Sequence, residues 1–346
     1  MSKKVRIGFV GVGWMGQCAH LKNYVTVPEC EVVALAELRP NLREAVARKY
    51  GVARTYANAE ELLAKEKLDG IVASQPFDKH GQIIIPLYKS RIPIFTEKPL
   101  AAILEVGEKM LAALKASGTW HMVGYHKRSD PATMCAKAEI DRLKASGELG
   151  KLKYVRLVMP AGDWVAGGFN DIIKSDEPMP PMASDVNYKW DDPYFSFVNY
   201  YIHQVNLLRH LLGESYRVTF ADKAGVLLVV ESASGVTGTI ELSPYQTTID
   251  WQESALVAFE KGFVKLELPA PVALNRPGRV EFFRDPGNGV TPQSIIPQMP
   301  WIHAMRQQAM NFVRAINGEI KPLCDATEAL EDLKVANDYI RLWTGK

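Results

Sequence analysis

The sequence lacks the marks of secreted, metal-binding and membrane-spanning proteins. Its four cysteines are scattered, without a CxxC pair or a Cys/His cluster at zinc spacing, so we expect neither disulfides nor a metal site. No apolar run reaches the ~20 residues of a membrane helix, and the N-terminus carries no signal-peptide pattern. These absences predict a cytoplasmic protein that does not enter a membrane.

An excess of one charge is also lacking. The chain has 41 basic and 39 acidic side chains in 346 residues, a net charge of +2. Such a balance gives no reason to expect nucleic acid or an anionic membrane as a partner. Apolar residues make up 47% and charged residues 23% of the chain, as in ordinary globular proteins. The length exceeds a single typical core and predicts two domains.

The first 125 residues alternate short apolar runs with helical periodicity, as a parallel α/β sheet does. The predicted strands are 5–10, 32–36, 70–73, 92–95 and 121–124. The predicted helices are 16–25, 43–50, 59–65, 82–90 and 104–116, and Gly51 and Gly118 are the expected ends of two of them. This pattern predicts an α/β fold with a doubly wound Rossmann domain over residues 1–125.

Residues 126–346 have a different pattern, which predicts a second, α+β domain. A helix over 132–144 precedes strand signals separated by turns such as Ser234-Gly235, which indicate a mostly antiparallel sheet. The predicted strands are 154–159, 217–221, 226–231, 236–242, 254–260, 262–267 and 279–283. Helices are predicted over 304–316 and 327–343, and at least one of them is expected to pack back on the first domain.

A long segment between two predicted strands, residues 160–193, is rich in Pro, Gly, Asp and Trp. A loop of this length is usually functional or disordered. Its aromatic residues Trp164, Tyr188 and Trp190 favour a wall of a ligand pocket, with packing alone as the alternative.

The stretch "VRIGFVGVGWMGQCAH" has the spacing of a dinucleotide-binding loop directly after a strand and before a helix. The first glycine permits a tight turn, the second lets the backbone approach a pyrophosphate, and the third allows close packing of helix on strand. Phosphate then meets the free N–H groups of the helix. The residues expected to bind the cofactor are Gly11, Val12, Gly13, Trp14, Met15 and Gly16.

The second strand ends at Glu37, about 20 residues beyond the loop, as the dinucleotide pattern requires. A carboxylate at this position accepts hydrogen bonds from the ribose hydroxyls and repels a 2′-phosphate, so it favours NAD over NADP. Arg39 has the opposite tendency, because a guanidinium attracts a 2′-phosphate. Leu38 and Pro40 offer that phosphate no second polar ligand, and NAD is the predicted cofactor.

In "RIPIFTEKPLAA" a lysine, Lys98, follows a buried strand and precedes Pro99, which restricts the backbone of Lys98. Open α/β sheets bind ligands at the carboxyl ends of their strands, where Lys98 is predicted to lie. A lysine there is suited to remove the hydroxyl proton when a carbinol is oxidised. A surface lysine in a salt bridge is the alternative. Glu97 is expected to position Lys98 or to contact the cofactor.

A second set of polar residues lies in a predicted helix over 197–212, which is expected to end at Gly213. Asn199, His203, Asn206 and His210 are spaced to form one polar stripe on an otherwise apolar helix. His203 is a candidate to share proton transfer with Lys98, because imidazole titrates near neutrality. A purely structural histidine is the alternative, and His210 is expected to be structural.

These residues resemble the glucose-fructose oxidoreductase/inositol dehydrogenase/MocA (Gfo/Idh/MocA) family. The similarity is carried by "GFVGVGWMG", "ALAELRP", "SQPFDKHG", "TEKPLA", "VGYHKRSDP" and the helix with His203, and it extends to the closing segment "DATEALEDLKVANDYIRLWTGK". The resemblance implies an NAD(P)-dependent sugar or polyol dehydrogenase with an open-faced sheet in its second domain. It further implies a homodimer or homotetramer formed through that sheet.

The resemblance also implies roles for individual residues. Proton transfer falls to Lys98, with support from His203. The family pattern also places Gln75, Pro76 and His80 by the cofactor. Beside the resemblance, we expect further cofactor contacts from Glu97, Lys98 and His126, and substrate contacts from Tyr125, Lys127, Arg128, Trp164, Tyr188, Asn199 and His203. For the basic cluster 126–128, an acidic or phosphorylated sugar is one expected partner, and a solvated charged turn is the alternative.

The chain departs from the family at two positions of the polar stripe. Inositol dehydrogenase-like members carry an aspartate where this chain has Asn199, and often an acid where it has Asn206. Amides do not raise the basicity of a histidine as a carboxylate does, so Lys98 is expected to act with less help.

The leading prediction is an NAD-dependent oxidoreductase acting on a ring hydroxyl of a sugar, polyol or glycoside. Two alternatives are an NAD-dependent glycosidase that works by transient ring oxidation, elimination and re-reduction, and a non-enzymatic regulator that senses NAD or a sugar.

Overall fold

The computed structural model describes residues 3–187, 189 and 191–345, which form two compact units. The first unit comprises Met1–Tyr125, Gly167–Phe195 and Met305–Leu333. The second unit comprises His126–Ala166, Ser196–Ala304 and Lys334–Lys346. The first unit therefore takes in two segments that come much later in the sequence than its sheet.

The first unit is built on a six-stranded parallel sheet with the strand order β3-β2-β1-β4-β5-β6. Its strands are β1 (Val5–Val10), β2 (Cys30–Ala36), β3 (Thr55–Tyr56), β4 (Gly70–Ala73), β5 (Ile94–Glu97) and β6 (His121–Gly124). The chain runs outward from β1 in one direction through β2 and in the other through β4. Such a reversal opens a crevice at the carboxyl end of β1, where sheets of this type bind ligands.

Helices connect these parallel strands. The connecting helices are α1 (Lys22–Tyr24), α2 (Pro40–Tyr50), α3 (Ala59–Lys65), α4 (His80–Tyr88) and α5 (Leu104–Ser117). From the end of the chain, the unit also includes α9 (Ala304–Ile316) from Met305 and the part of α10 (Ala326–Thr344) up to Leu333. Gly51 and Gly118 end α2 and α5 in the left-handed conformation, which confirms both predicted helix ends. Phe312 of α9 packs against Phe95 of β5 in the core of this unit.

The helix after the glycine loop differs from the regular α-helix predicted over 16–25. Residues Gly16–Leu21 form a π-helix, which continues into α1. A π-turn holds one more residue per turn than an α-turn, and such turns are frequent at functional sites. All six residues of the π-helix are buried.

His121 on β6 is buried between two hydroxyl groups of the first unit. Its ring nitrogens lie 2.8 Å from the Tyr88 hydroxyl and 2.8 Å from Thr96 Oγ1. Burial, with a smaller effect from His80, lowers the pKa of His121 from 6.5 to about 3. The unfolded chain therefore binds a proton below pH 6.5 that the folded chain does not bind.

We expect the free energy of unfolding to fall as the pH drops below the pKa of the unfolded state. The contribution of His121 is about 1.4 kcal/mol per pH unit between the two pKa values. Urea unfolding of the unaltered protein and of His121→Asn at pH 7, 6 and 5 measures the two slopes. The variant should lose less stability on acidification, and equal slopes would refute the assignment of a neutral buried His121.

The second unit is built on an eight-stranded sheet with the order β14-β13-β12-β11-β7-β10-β9-β8. Its strands are β7 (Leu152–Ala161), β8 (Tyr216–Ala221), β9 (Leu227–Ser232), β10 (Thr237–Gln246), β11 (Glu253–Phe259), β12 (Gly262–Leu268), β13 (Arg279–Arg284) and β14 (Gln293–Ile295). Neighbouring strands are antiparallel except β7 and β10. With the parallel sheet of the first unit, this confirms the predicted fold class.

Two helices of the second unit pack on the sheet, α6 (Pro131–Ser146) on β12 and β13, and α8 (Ile202–Leu212) on β7 and β10. The predicted single helix over 197–212 is wrong. The chain forms α7 (Pro193–Tyr200) and α8, which begins after Tyr201. The amide of Gln204 donates to the carbonyl of Tyr201, a tight i to i+3 turn at the junction. Asn199 therefore lies on α7, whereas His203 lies on α8.

Candidate functional site

The glycine loop has the shape that a dinucleotide requires. Gly11 has φ +87°, and a Cβ atom there would lie 2.3 Å from Gln75 Nε2 and 2.6 Å from the Ser74 carbonyl. At Gly16 a Cβ would lie 2.8 Å from the Gly11 carbonyl. At Gly13, by contrast, the nearest atom to a Cβ is a nitrogen of Arg39 at 3.8 Å. The backbone is therefore open at Gly13, where a pyrophosphate has to approach.

Glu37 follows β2 at the same edge of the sheet, and its side chain faces the loop. One carboxylate oxygen accepts the Val12 amide at 3.2 Å, and the other accepts Nε of Arg39 at 2.8 Å. Glu37 is 5% exposed. A carboxylate held beside the glycine loop fits the hydroxyls of an adenosine ribose. Together with the open backbone at Gly13, it shows that these residues suit a dinucleotide.

Part of the long segment predicted as a pocket wall packs on this crevice. We call residues 169–185 the strap. The side chain of Gln17 donates to the carbonyl of Ile173 at 3.0 Å and accepts its amide at 2.8 Å, while also donating to the carbonyl of Val12. Trp14, which is 56% exposed, packs edge to face on Phe169 with 5.4 Å between ring centroids. The glycine loop thus holds the first half of the strap.

Two acidic side chains anchor the strap to helix N-termini on either side of β1. Glu177 accepts the amides of Asn41 at 3.1 Å and Leu42 at 2.9 Å in the first turn of α2. Asp185 accepts the amide of Gly81 at 2.6 Å in the first turn of α4. Since α2 follows β2 and α4 follows β4, the strap passes from one side of the glycine loop to the other.

Gln75 lies against the glycine loop at Gly11, and His80 contacts Gln75. Gln75 Nε2 donates to the carbonyl of Val10 at 2.9 Å. His80 has no exposed surface, and its ring nitrogens lie 3.0 Å from the Leu100 carbonyl and 3.2 Å from the Gln75 carbonyl. Burial lowers the pKa of His80. The imidazole therefore connects the segment of Gln75 with the segment that follows Lys98. Pro76, the third expected cofactor contact here, is exposed.

Lys98 directly follows β5 at the carboxyl edge of the parallel sheet, two strands from β1 and its glycine loop. The peptide bond between Lys98 and Pro99 is cis. The preceding Glu97 has one oxygen 2.6 Å from Nε2 of the buried His20 on the π-helix, and the other accepts the Lys98 amide at 3.3 Å. The backbone of Lys98 is thus tied to the helix that starts the cofactor site.

In the second unit, the basic cluster 126–128 is buried, so the alternative of a solvated charged turn is wrong. Lys127 pairs with Glu253, and both side chains are less than 5% exposed. Glu253 also accepts Gln204 Nε2 at 2.8 Å and Trp251 Nε1 at 3.1 Å. Burial lowers the pKa of Lys127, and Glu253 opposes this shift.

The histidines expected to contact cofactor and substrate lie together in the second unit. The rings of His126 and His203 are 4.8 Å apart in an edge-to-face arrangement. Arg128 donates to Asn206 Oδ1 at 2.5 Å, so the amide that stands in place of an acid has a buried cation as its partner. Trp164 is 37% exposed.

Two further predicted substrate contacts have different outcomes. Tyr125 belongs to the first unit and is only 2% exposed, which leaves little of its ring to stack on a sugar. Tyr188 lies outside the described residues, as does Trp190 of the predicted pocket wall. The second unit has a cavity of about 550 Å³ whose lining includes Asp163, Tyr245 and Trp251. Sequence reasoning did not single out these last three residues.

The described part of the chain has neither a membrane-spanning helix nor a cluster of metal ligands. Across 3–187, 189 and 191–345, no helix is long and apolar enough to cross a membrane. Within the same ranges, no group of three or more His, Cys, Asp and Glu side chains is arranged to hold a metal ion.

Comparison with known proteins identifies the family of the nucleotide-binding domain. Residues 5–125 match the profile GFO_IDH_MocA, an oxidoreductase family with an NAD-binding Rossmann fold. The chain is 28% identical to scyllo-inositol 2-dehydrogenase (NAD(+)) of Bacillus subtilis over 258 residues, 70% of this chain and 68% of the relative. It is 27% identical to inositol 2-dehydrogenase of Rhizobium meliloti over 353 residues, 97% and 96% of the two chains.

A solved structure extends the likeness of fold to the whole chain. The oxidoreductase domain protein from Kribbella flavida has a TM-score of 0.76 at 20% identity, covering 99% of this chain and 98% of that one. Residues 5–125 therefore form an NAD-binding Rossmann domain of the Gfo/Idh/MocA oxidoreductase family, which confirms the predicted resemblance and the predicted cofactor, NAD.

Proposed function

We propose that this protein is a dehydrogenase that oxidises a ring hydroxyl of a sugar, polyol or glycoside with NAD, and that Lys98 is its general base. The observation that carries the proposal is the place of Lys98 at the carboxyl edge of the parallel sheet, the edge that also carries the glycine loop and Glu37. The inositol dehydrogenases among its relatives act on a ring carbinol, which supports this substrate class.

When bound, NAD supplies the acceptor for the hydride that leaves the carbinol carbon. The carbinol oxygen must lose its proton as the hydride leaves, and the Lys98 amine takes this proton. In the reverse direction the protonated amine returns it. The hydrogen bond from the Lys98 amide to Glu97 fixes the backbone of Lys98. His80 holds Leu100 and acts on Lys98 as a positioning residue.

We assign supporting roles in the second unit to His203 and Asn199. His203 contacts the ring of His126, and a neutral or protonated imidazole is able to hydrogen-bond a substrate hydroxyl. Asn199 lies on a different helix from His203 and carries no charge, so it does not raise the basicity of the imidazole. His203 therefore orients substrate, and Lys98 carries the proton. Trp164 is kept as a sugar-stacking residue, because its ring is partly exposed.

A panel assay tests the proposed reaction. The purified protein is incubated with NAD and with inositols, aldoses, sugar acids and chromogenic glycosides, and absorbance is followed at the NADH wavelength. NADH formation with a cyclic polyol or sugar supports the dehydrogenase. Release of the chromogen without net NADH would instead establish the glycosidase, for which the cavity of about 550 Å³ offers room for an aglycone. Binding without turnover in any arm would establish a regulator.

We further propose that the protein is cytoplasmic, because all four cysteines are free thiols, as expected in a reducing compartment.

We also propose that it forms a homo-oligomer through the uncovered face of the eight-stranded sheet. The helices α6 and α8 pack on one face, whereas Val229, Leu256 and the stacked pair Phe263 and Phe283 are only partly buried. A partly exposed apolar face of this kind marks an association surface. The mass from sedimentation equilibrium should be that of a dimer or tetramer. A monomer at micromolar concentration would contradict this.

A further inference from the structure

We propose that Glu177 is a second determinant of cofactor choice, because its carboxylate takes the backbone amides that a 2′-phosphate would otherwise bind and so excludes NADP. Glu37 is the determinant that the sequence pattern identifies. Glu177 comes from the strap, 140 residues further along the chain, and no spacing rule relates it to the glycine loop. The inference needs only a dinucleotide at this crevice and holds for any substrate.

The effect of Glu177 follows from where the adenosine ribose binds. An acid at the end of the second strand binds the 2′-hydroxyl of the adenosine ribose, which puts this hydroxyl beside Glu37. A phosphate on that oxygen would therefore lie near the chain that follows Glu37, where α2 begins. The N–H groups of a first helical turn are good anion ligands, because they have no intrahelical partner. In this protein the Asn41 and Leu42 amides are already bonded to Glu177.

Glu177 is held in this position by its own segment. Ser175 Oγ donates to the Glu177 carboxylate at 3.1 Å, and the Glu177 amide donates back to Ser175 Oγ at 3.2 Å. The strap is fixed on either side, by Gln17 at Ile173 and by the Asp185 contact with Gly81. The carboxylate therefore reaches α2 from a braced loop.

Electrostatic repulsion of a 2′-phosphate adds to the effect of the occupied amides. Arg39, the residue before α2, is the cation closest in sequence that would attract a 2′-phosphate, and it is paired with Glu37 at 2.8 Å. A 2′-phosphate would meet two carboxylates at this point, Glu37 and Glu177, and the guanidinium of Arg39 is already paired with the first of them. Repulsive elements of this kind set specificity as much as attractive contacts do. An uncharged residue at position 177 removes one of these two negative charges.

Titration calorimetry on dinucleotide-free protein tests the inference with NAD+ and NADP+ as separate probes. In Glu177→Ala we expect the affinity for NADP+ to rise about tenfold, because the N–H donors of Asn41 and Leu42 are freed and one negative charge is lost. The affinity for NAD+ should change little. Asp176→Asn is the matched control, since it removes an exposed acid one residue away, and it should leave both affinities unchanged.

The ratio of NADP+ affinity to NAD+ affinity tests the role of Glu177 independently of the proposed reaction. An unchanged NADP+ affinity in Glu177→Ala, or an equal gain in Asp176→Asn, would overturn it. Glu177→Gln serves in place of Glu177→Ala if the latter does not fold. Because it keeps one acceptor oxygen and loses the charge, it should give a smaller rise in NADP+ affinity, and no rise would again overturn the inference. Failure to oxidise any sugar would leave the ratio unaffected, whereas an unaltered protein that binds neither dinucleotide would overturn the role of Glu177 together with the proposed reaction.

Discussion

Lys98→Ala is expected to lower kcat for carbinol oxidation by about 10²- to 10⁴-fold, the range of a lost general base. The lysine follows β5 at the ligand-binding edge of the sheet, so its removal deprives the carbinol of the group that takes its proton. The affinity for NAD should fall far less than kcat even though Lys98 is an expected cofactor contact, because the glycine loop and Glu37 are unaltered. Steady-state rates at the NADH wavelength measure the first effect, and calorimetry with NAD+ measures the second.

Two further variants separate proton transfer from charge and from folding. Lys98→Arg keeps a positive charge but cannot give up its proton near neutral pH, so it should be nearly as slow as Lys98→Ala. Lys89→Ala removes an exposed lysine at the end of α4 and should retain full activity. An active Lys98→Arg would show that the residue contributes charge and not a base.

Glu253→Gln is expected to destabilise the second unit by about 3–5 kcal/mol, because it leaves the charge of Lys127 buried without its partner. The pair is among the most buried in the protein, with side-chain exposures of 4% and 3%. Trp251 adds to the site through an indole hydrogen bond to Glu253 and a ring face 5.6 Å from Lys127 Nζ. Urea unfolding monitored by tryptophan fluorescence gives the change in free energy.

A variant of an exposed ion pair and a double variant of the buried pair are the controls for Glu253→Gln. Glu231→Gln breaks the exposed pair with Arg217 and should cost at most about 1 kcal/mol. Lys127→Met combined with Glu253→Leu should cost less than the sum of the single changes, because no unpaired charge remains. If Glu253→Gln costs no more than Glu231→Gln, the pair contributes nothing beyond a surface salt bridge.

Local patterns predicted most of the first unit. The alternation of apolar runs with helices identified its sheet, and only the two-residue β3 was missed. The glycine spacing and Glu37 are signals within one βαβ unit, where chain geometry fixes the distances. Lys98 was located by the separate apolar strand that directly precedes it. The π-helix at Gly16–Leu21 was missed because its apolar pattern does not differ from that of an α-helix over so few residues.

Long-range contacts account for what the sequence did not predict. Gln17 is 156 residues from Ile173, and Glu177 is 136 residues from Asn41, so no periodicity connects them. The burial of Lys127 depends on Glu253, which lies on a distant strand. The break at Tyr201 also escaped prediction, since the chain around it contains neither glycine nor proline. The polar residues across 199–210 were therefore predicted as one stripe of a single helix, although they belong to two helices.

Chemical rescue of Lys98→Ala tests most directly the claim that the Lys98 amine takes the substrate proton. With NAD and the substrate found in the panel, the rate of NADH formation is measured at increasing concentrations of ethylamine and at several pH values. We expect the lost activity to return in proportion to the free-base amine. Full activity of the variant without amine, or no response to amine while NAD and substrate bind, would contradict the claim.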